Sequence, residues 1–494
     1  MATTDDDPLV PHPTWFGEIR YFFTTTDIDH MGPKGIDLST YNGVVANAVS
    51  IYAQTQSGSM PPDPLPKWSD NRVQTFLNWI TDNYPLGTAP APSPTVTLEA
   101  VAAAARVRKD VAGLSADGIT ALKAAFKGIM ERDPTQADSY YQIAGVHWYP
   151  AIDQNPLFHC LHHENRFLPW HRFHLRRFED ALRSVPGCAN VTLPYWDVTT
   201  PVPDLLYQEP FAQYVLQAPI GHGYDPLTTS RYSPAEIAAN IAGFGVPAQI
   251  DKSLKQSVWE QFNRTFWQAH DNGHVACGTT MENQDISAFD PIFWFFHCNL
   301  DRIWLQWQRS VGATTLAGFK STCQQSTAWL DVPALGALPP FSGTAADTIT
   351  YSEVDYTRPS TAIAEAVTAM EFENRTGSIA ATKRFRLDSA APLSVRVKDI
   401  NRANIPGTFV VNLLADGKEV ARQAFFQPTD PGLCPNCSEN AKVSVDFHVE
   451  PEKILDKDLT VELHVPGQRA MGTRFPLSKA GEPTINIRHL IDGT

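Results

Sequence analysis

The chain changes its hydrophobic rhythm twice. Near the start, Trp68, Ser69 and Asp70 open an amphipathic pattern with Val73, Phe76, Leu77 and Ile80 on one stripe, which predicts a capped helix. Ser115 opens a second, with Ile119, Leu122, Phe126 and Ile129 on its apolar face. Helical spacing returns over 136–147, 168–184, 254–271 and 298–309, separated by irregular stretches rich in Pro and Gly such as 197–250. A mainly helical core carrying long loops accounts for this alternation.

From about residue 370 the period shortens to two. Lys383 to Leu387, Leu393 to Val397, Phe409 to Leu414, Val443 to Val449 and Leu459 to Val465 read as strands, with a turn at Ala415, Asp416, Gly417 and Lys418. Short strands at that spacing predict an antiparallel β-sandwich. The four prolines between Pro85 and Pro94 mark a linker. Three domains result: a small helical N-terminal module over 1–90, a mainly α core over 95–370, and a C-terminal sandwich over 371–494.

A length of 494 residues supports this count, since it exceeds what one core holds. A net charge of −14 without a basic run argues against nucleic acid as a partner. No apolar run reaches the length of a membrane span. The first residues lack the basic and apolar segments of a secretory signal, so the default expectation is cytoplasmic. The seven cysteines, Cys160, Cys188, Cys277, Cys298, Cys323, Cys434 and Cys437, are too sparse for a disulfide framework and suit a reducing compartment.

The candidate chemistry lies in histidine. His270 and His274 stand four apart, so on a helix they share a face and can grip one metal. His297 follows from a second helix beginning near Asp290 and Pro291, with Asp301 and Arg302 placed to orient neighbouring groups. Upstream, His147, His159, His162, His163, His171 and His174 offer more ligands than one ion needs, and spacing alone selects no three of them. A zinc-protease motif fails, because Phe167 stands where the second histidine after His163 and Glu164 belongs. All-histidine sets without neighbouring carboxylate ligands point to a pair of copper ions rather than zinc or non-haem iron.

At this point the residues resemble a family. Cys160 and His162, followed by Phe167, Trp170, His171, Arg172, Phe178 and Glu179, look like the first copper site of the tyrosinase, polyphenol oxidase (catechol oxidase) and molluscan haemocyanin family of type-3 copper proteins. Pro194, Tyr195, Trp196 and Asp197 are typical of it, and His270, His274, Met281, Asp290, Phe293, His297, Asp301 and Arg302 look like the second site. The likeness covers roughly residues 95–310. It implies a four-helix bundle holding two copper ions, one on His147, His162 and His171, the other on His270, His274 and His297. His159, His163 and His174 become surface or supporting groups. It implies O2 as co-substrate and small phenols as substrates: o-diphenols oxidised to o-quinones, and monophenols hydroxylated. A catechol or o-aminophenol oxidase without that hydroxylation is the alternative, and a haemocyanin-like oxygen carrier a further one; a homo-oligomer is compatible with all three.

The resemblance also implies a thioether between Cys160 and His162, with a free buried thiol as the rival. Relatives that hydroxylate monophenols often carry Asn after the first histidine of the second site; here Asp271 takes that place, as a base or as a structural partner of His270. Glu260, upstream on the same predicted helix, is its candidate catalytic companion. Phe296 replaces a histidine found in many relatives, which predicts altered packing or access. Cys434 and Cys437 form a Cys-x-x-Cys pair that the resemblance links to copper delivery, against a plain structural turn. Phe425 and Phe426 lie in an apolar strand and read as core rather than as a plug over the metal pocket.

Overall fold

The computed structural model describes residues 7–24, 41–61 and 67–87, a few positions between 27 and 38, and then 106–155, 161–350, 352–358, 393–465 and 473–489. His159, Cys160, most of the linker and the strand expected at Lys383 lie outside these. The chain divides into two units, Met1–Ala104 and Ala105–Thr494. The helical core and the C-terminal strands both fall within the second unit, each with its own apolar cluster.

The first unit is built on helices Tyr41–Gln56 and Asp70–Thr81. The Ser69 hydroxyl accepts the Arg72 N–H and caps the second of them. Phe76 and Trp79 are wholly buried against Trp15, Ile19 and Phe23. The Trp79 indole N–H donates to the Pro85 carbonyl, so its polar atom is satisfied inside that apolar cluster.

In the second unit, Ser115 caps helix Ala116–Met130 through the Gly118 N–H. The metal-site region is framed by helices Phe167–Arg183, Trp259–Cys277 and Ile292–Ser310. Two of these run beyond the sequence expectation. Helix Trp259–Cys277 stops only at Gly278, whose φ of 72° needs a residue without Cβ and whose N–H returns to the His274 carbonyl. The long helices are locked together by buried charge: Arg172 donates to Asp301 at 2.6 Å, while Arg108 donates to Asp301 at 3.2 Å and to Glu179 at 3.2 Å. Such a cluster persists only because each charge is paired. It corrects one expectation, since Asp301 spends its oxygens on arginine and on Tyr356, and Arg302 turns to Asn299 and Asp197. Neither orients a histidine.

Strands β1 (Arg106–Arg108) and β2 (Val354–Tyr356) pair in parallel beside the helices. The C-terminal region holds two antiparallel sheets, ordered β6-β3-β9 and β5-β4-β7-β8, where β3 is Leu393–Asn401, β4 Phe409–Ala415, β5 Lys418–Phe425, β6 Lys442–Val449, β7 Leu459–Val465, β8 Thr473–Phe475 and β9 Thr484–His489. Val395, Phe409, Val411, Leu413, Phe447 and Leu463 meet in their shared core. Asp416 and Gly417, both at positive φ (50° and 74°), make the tight turn that joins β4 to β5. The end of β5 stays paired with β4, Ala424 opposite Val410 and Phe425 opposite Phe409, and also lies along helix Trp259–Cys277. There the Ala424 N–H donates to Asn272 at 2.7 Å and the Phe426 N–H to Asp271 at 3.1 Å.

Candidate metal centre

Six histidines meet in the interior as two triplets, His147, His162 and His171, and His270, His274 and His297, each with its ligand atoms within 4.8 Å of one another. Helix Phe167–Arg183 supplies His171, Trp259–Cys277 supplies His270 and His274, and Ile292–Ser310 supplies His297. His147 and His162 come from irregular backbone instead. The triplets face each other, with ring centroids of His171 and His297 4.8 Å apart and those of His162 and His270 5.2 Å apart.

Five of the rings are held by one rule. Nδ1 of His147 donates to the Gln284 carbonyl, of His171 to Phe167, of His274 to Met281 and of His297 to Phe293, at 2.8–3.2 Å. His270 Nδ1 donates to the Asp271 carboxylate at 2.8 Å. An acceptor at Nδ1 places the proton there and leaves the lone pair on Nε2. The Nε2 atoms of His147, His171 and His270 are buried and have no hydrogen-bond partner. Orphaned nitrogens are rare inside proteins because each costs about 1–3 kcal/mol. Here they form the donor set that copper takes. Burial is the leading cause that holds all six below the usual histidine range, His171 at about 4 and His274 at about 3. The rings are thus neutral at pH 7, as ligation requires.

Among the other candidates, His163 is part of the support: its Nε2 contacts Asp271 at 2.8 Å and its ring lies 4.3 Å from that of Phe425. His174 is buried, donates to the Ile143 carbonyl at 2.8 Å and packs on Trp170 and Trp294, so it is a core residue rather than a surface one. Asp271 takes His270 on one oxygen and His163 and the Phe426 N–H on the other. Of the two roles expected for it, the contact with His270 is the one this geometry shows. Burial pushes its carboxyl up, opposed by His163 and these hydrogen bonds. Glu260 is not at the site; its carboxylate accepts the backbone N–H groups of Gln324 and Gln325 at the far end of the helix. Phe296 fills the space over Gly273, where an added Cβ would lie 2.5 Å from the ring.

The largest correction concerns Phe426. It is wholly buried and stacks on His274, ring centroids 4.0 Å apart and planes 24° from parallel, with edge contacts to His162 at 5.1 Å and His270 at 5.6 Å. Phe425 stacks on Phe409 inside the sandwich, as expected for core. Phe426 instead plugs the metal pocket. Its apolar strand context gave no sign of this, because a side chain crossing into another core looks the same as one staying in its own. Nearby, Cys434 and Cys437 are bonded to each other and buried, and Asn436 donates to the His162 carbonyl at 2.6 Å. Copper delivery by this pair would require the bond to be reduced first.

Two buried, facing all-histidine triplets are the donor arrangement that a pair of metal ions takes. Residues 137–218 and 207–310 match the common central domain of tyrosinase. The chain is 30% identical over 241 residues to the A-type hemocyanin, units Ode to Odg, of Enteroctopus dofleini, a match covering 44% of this chain and 19% of that protein. It is 30% identical over 226 residues to unit D of the Helix pomatia beta-C hemocyanin chain, covering 42% and 53%. The chain thus spans about half or less of the curated relatives it matches. In fold it is similar to a tyrosinase from Burkholderia thailandensis (TM-score 0.56, 19% identity, 78% of this chain and 100% of that one). It is likewise similar to a functional unit of octopus hemocyanin (TM-score 0.54, 19% identity, 78% and 99%). Over residues 137–310 the chain thus carries the central domain of the tyrosinase, polyphenol oxidase and haemocyanin family of type-3 copper proteins, as the sequence resemblance implied.

Proposed function

We propose that this chain is a tyrosinase-like polyphenol oxidase that uses O2 to oxidise o-diphenols to o-quinones and to hydroxylate monophenols. The observation that carries this reading is the Phe426 ring. A six-membered aromatic ring already occupies the space over His274 between both triplets. The pocket therefore accepts a ring of a phenol's size and shape once that side chain withdraws. Copper, when bound, would supply electron exchange with O2. The protein's share is to present Nε2 lone pairs, to hold the proton on Nδ1 of five rings by donation to a carbonyl or carboxylate, and to exclude water with the Phe293, Phe296 and Phe426 rings. Cys160 as a thioether partner of His162 belongs to this reading, and peptide mapping of the copper-loaded protein tests it through alkylation of the free thiol.

An oxygen carrier is the second reading, favoured by the hemocyanin relatives at 30% identity. Catechol, a 4-substituted phenol and o-aminophenol, each given to the copper-loaded Phe426→Ala protein, separate the readings. Quinone formation from catechol supports the oxidase, and product from the phenol adds hydroxylation. Turnover of o-aminophenol or catechol alone narrows the activity. Reversible O2 uptake with no product overturns the oxidase in favour of the carrier.

A further inference from the structure

On the far side of the loop that holds the histidines lies a second cavity. Residues 279–286 present the Met281 carbonyl to His274 and the Gln284 carbonyl to His147 on one face. The other face lines a cleft of about 860 Å³ between helical core and sandwich, within the range of small-molecule sites, about 300–1,000 Å³. Its walls are Tyr224, Ser230, Tyr232, Thr280, Glu282 and Asn283, closed from the sandwich side by Thr408 and Thr429. Hydroxyl, phenol and amide groups stand beside the apolar Leu227, Ile286 and Val465, and two tyrosine rings provide flat surfaces.

Two features mark the cleft as more than a packing gap. Glu282 supplies the one charge among its lining residues, and no hydrogen bond or ion pair reaches that carboxyl from the described residues. Burial alone pushes it up to about 8, so a nearby cation would recover its ionised form. Beside it, Thr279 sits at φ 43°, a left-handed conformation that a β-branched residue adopts only against strain. Thr279 and Thr280 are held there by hydrogen bonds with Ser230. A strained, cross-braced wall with an unpaired acid is what a preformed polar site looks like.

We propose that this cleft binds an amino sugar, a small polyhydroxylated primary ammonium ion, with Glu282 taking the ammonium and the surrounding hydroxyl and amide groups taking the sugar hydroxyls. The carboxylate selects the cation by a charge-assisted hydrogen bond, the hydroxyl and amide groups meet the sugar hydroxyls, and the tyrosine rings and apolar side chains meet its C–H faces. The assignment is independent of the copper chemistry, because such a ligand carries no phenol ring.

Calorimetric titration of the full-length, copper-loaded protein with D-glucosamine and D-glucose tests it, the two sugars differing only in the ammonium. Glucosamine is expected to bind at least about tenfold more tightly, the size of one charge-assisted hydrogen bond. Glu282→Gln, close in shape, is expected to erase that difference while leaving copper content unchanged. Equal binding of the two sugars, binding of neither, or a preference for glucosamine that survives in Glu282→Gln would each overturn the proposal.

Discussion

Phe426 lies almost flat on His274, ring centroids 4.0 Å apart, while its own backbone N–H is held by the carboxylate of Asp271. The plug and two of the six histidines, His270 and His274, are thus fastened to the same helix, Trp259–Cys277.

Phe426→Ala is expected to admit bulky diphenols, raising kcat/KM on the order of tenfold, a barrier change of about 1.4 kcal/mol. It should also cost about 3–4 kcal/mol of stability through the lost aromatic packing. Steady-state assays with 4-tert-butylcatechol and urea unfolding read the two effects separately. Unchanged turnover would show that the ring does not gate the pocket.

Asp271→Asn keeps the shape but has one acceptor oxygen where three donors now arrive. Copper should bind about 10–100-fold more weakly, as when the partner of a ligating histidine is removed. Competition against a chelator of known affinity measures this. Glu260→Gln serves as the contrast, with expected loss of about 1 kcal/mol from the Gln324 and Gln325 contacts and no change in copper affinity.

Gly273 has no room to grow. Gly273→Ala brings a Cβ to 2.5 Å from the Phe296 ring, and overpacking of this kind costs about 1–3 kcal/mol. Phe296→Leu in the same chain should recover most of that loss. Thermal unfolding of the single and double variants decides it, and additive losses would place the clash elsewhere.

Acid should destabilise the copper-free protein early. The unfolded chain takes up histidine protons as pH falls through about 6.5, whereas the folded protein resists until about 4 at His171 and about 3 at His274. Over that window the unfolded state binds more protons, so stability is full above pH 6.5 and falls with pH. Urea midpoints between pH 7 and 4 should decline in the copper-free protein, and decline less steeply in a His171→Gln, His274→Gln variant, where four depressed histidines remain. Equal slopes would exclude these two histidines as the source.

The second triplet was legible because His270 and His274 share a helix and the 3.6-residue period projects both to one side. The first was not, since His147 and His162 stand on irregular backbone where spacing carries no direction, and only their family likeness picked them out. Helix caps at Ser69 and Ser115 and the turn at Asp416 were readable from local chemistry. Contacts between distant segments were hidden, including Asp301 with its arginines, Asp271 with Phe426 and the whole of the Glu282 cleft. Each joins residues far apart in the chain, and no local pattern encodes the meeting.

The three unsatisfied Nε2 atoms of His147, His171 and His270 have a consequence beyond catalysis. A folded state that is incomplete without metal is stabilised in proportion to the logarithm of free copper over its dissociation constant. Where copper is scarce, more chains visit the unfolded state and are exposed to proteases. Resistance of the chain to proteolysis is then expected to rise with copper supply, through the same nitrogens that would hold the metal.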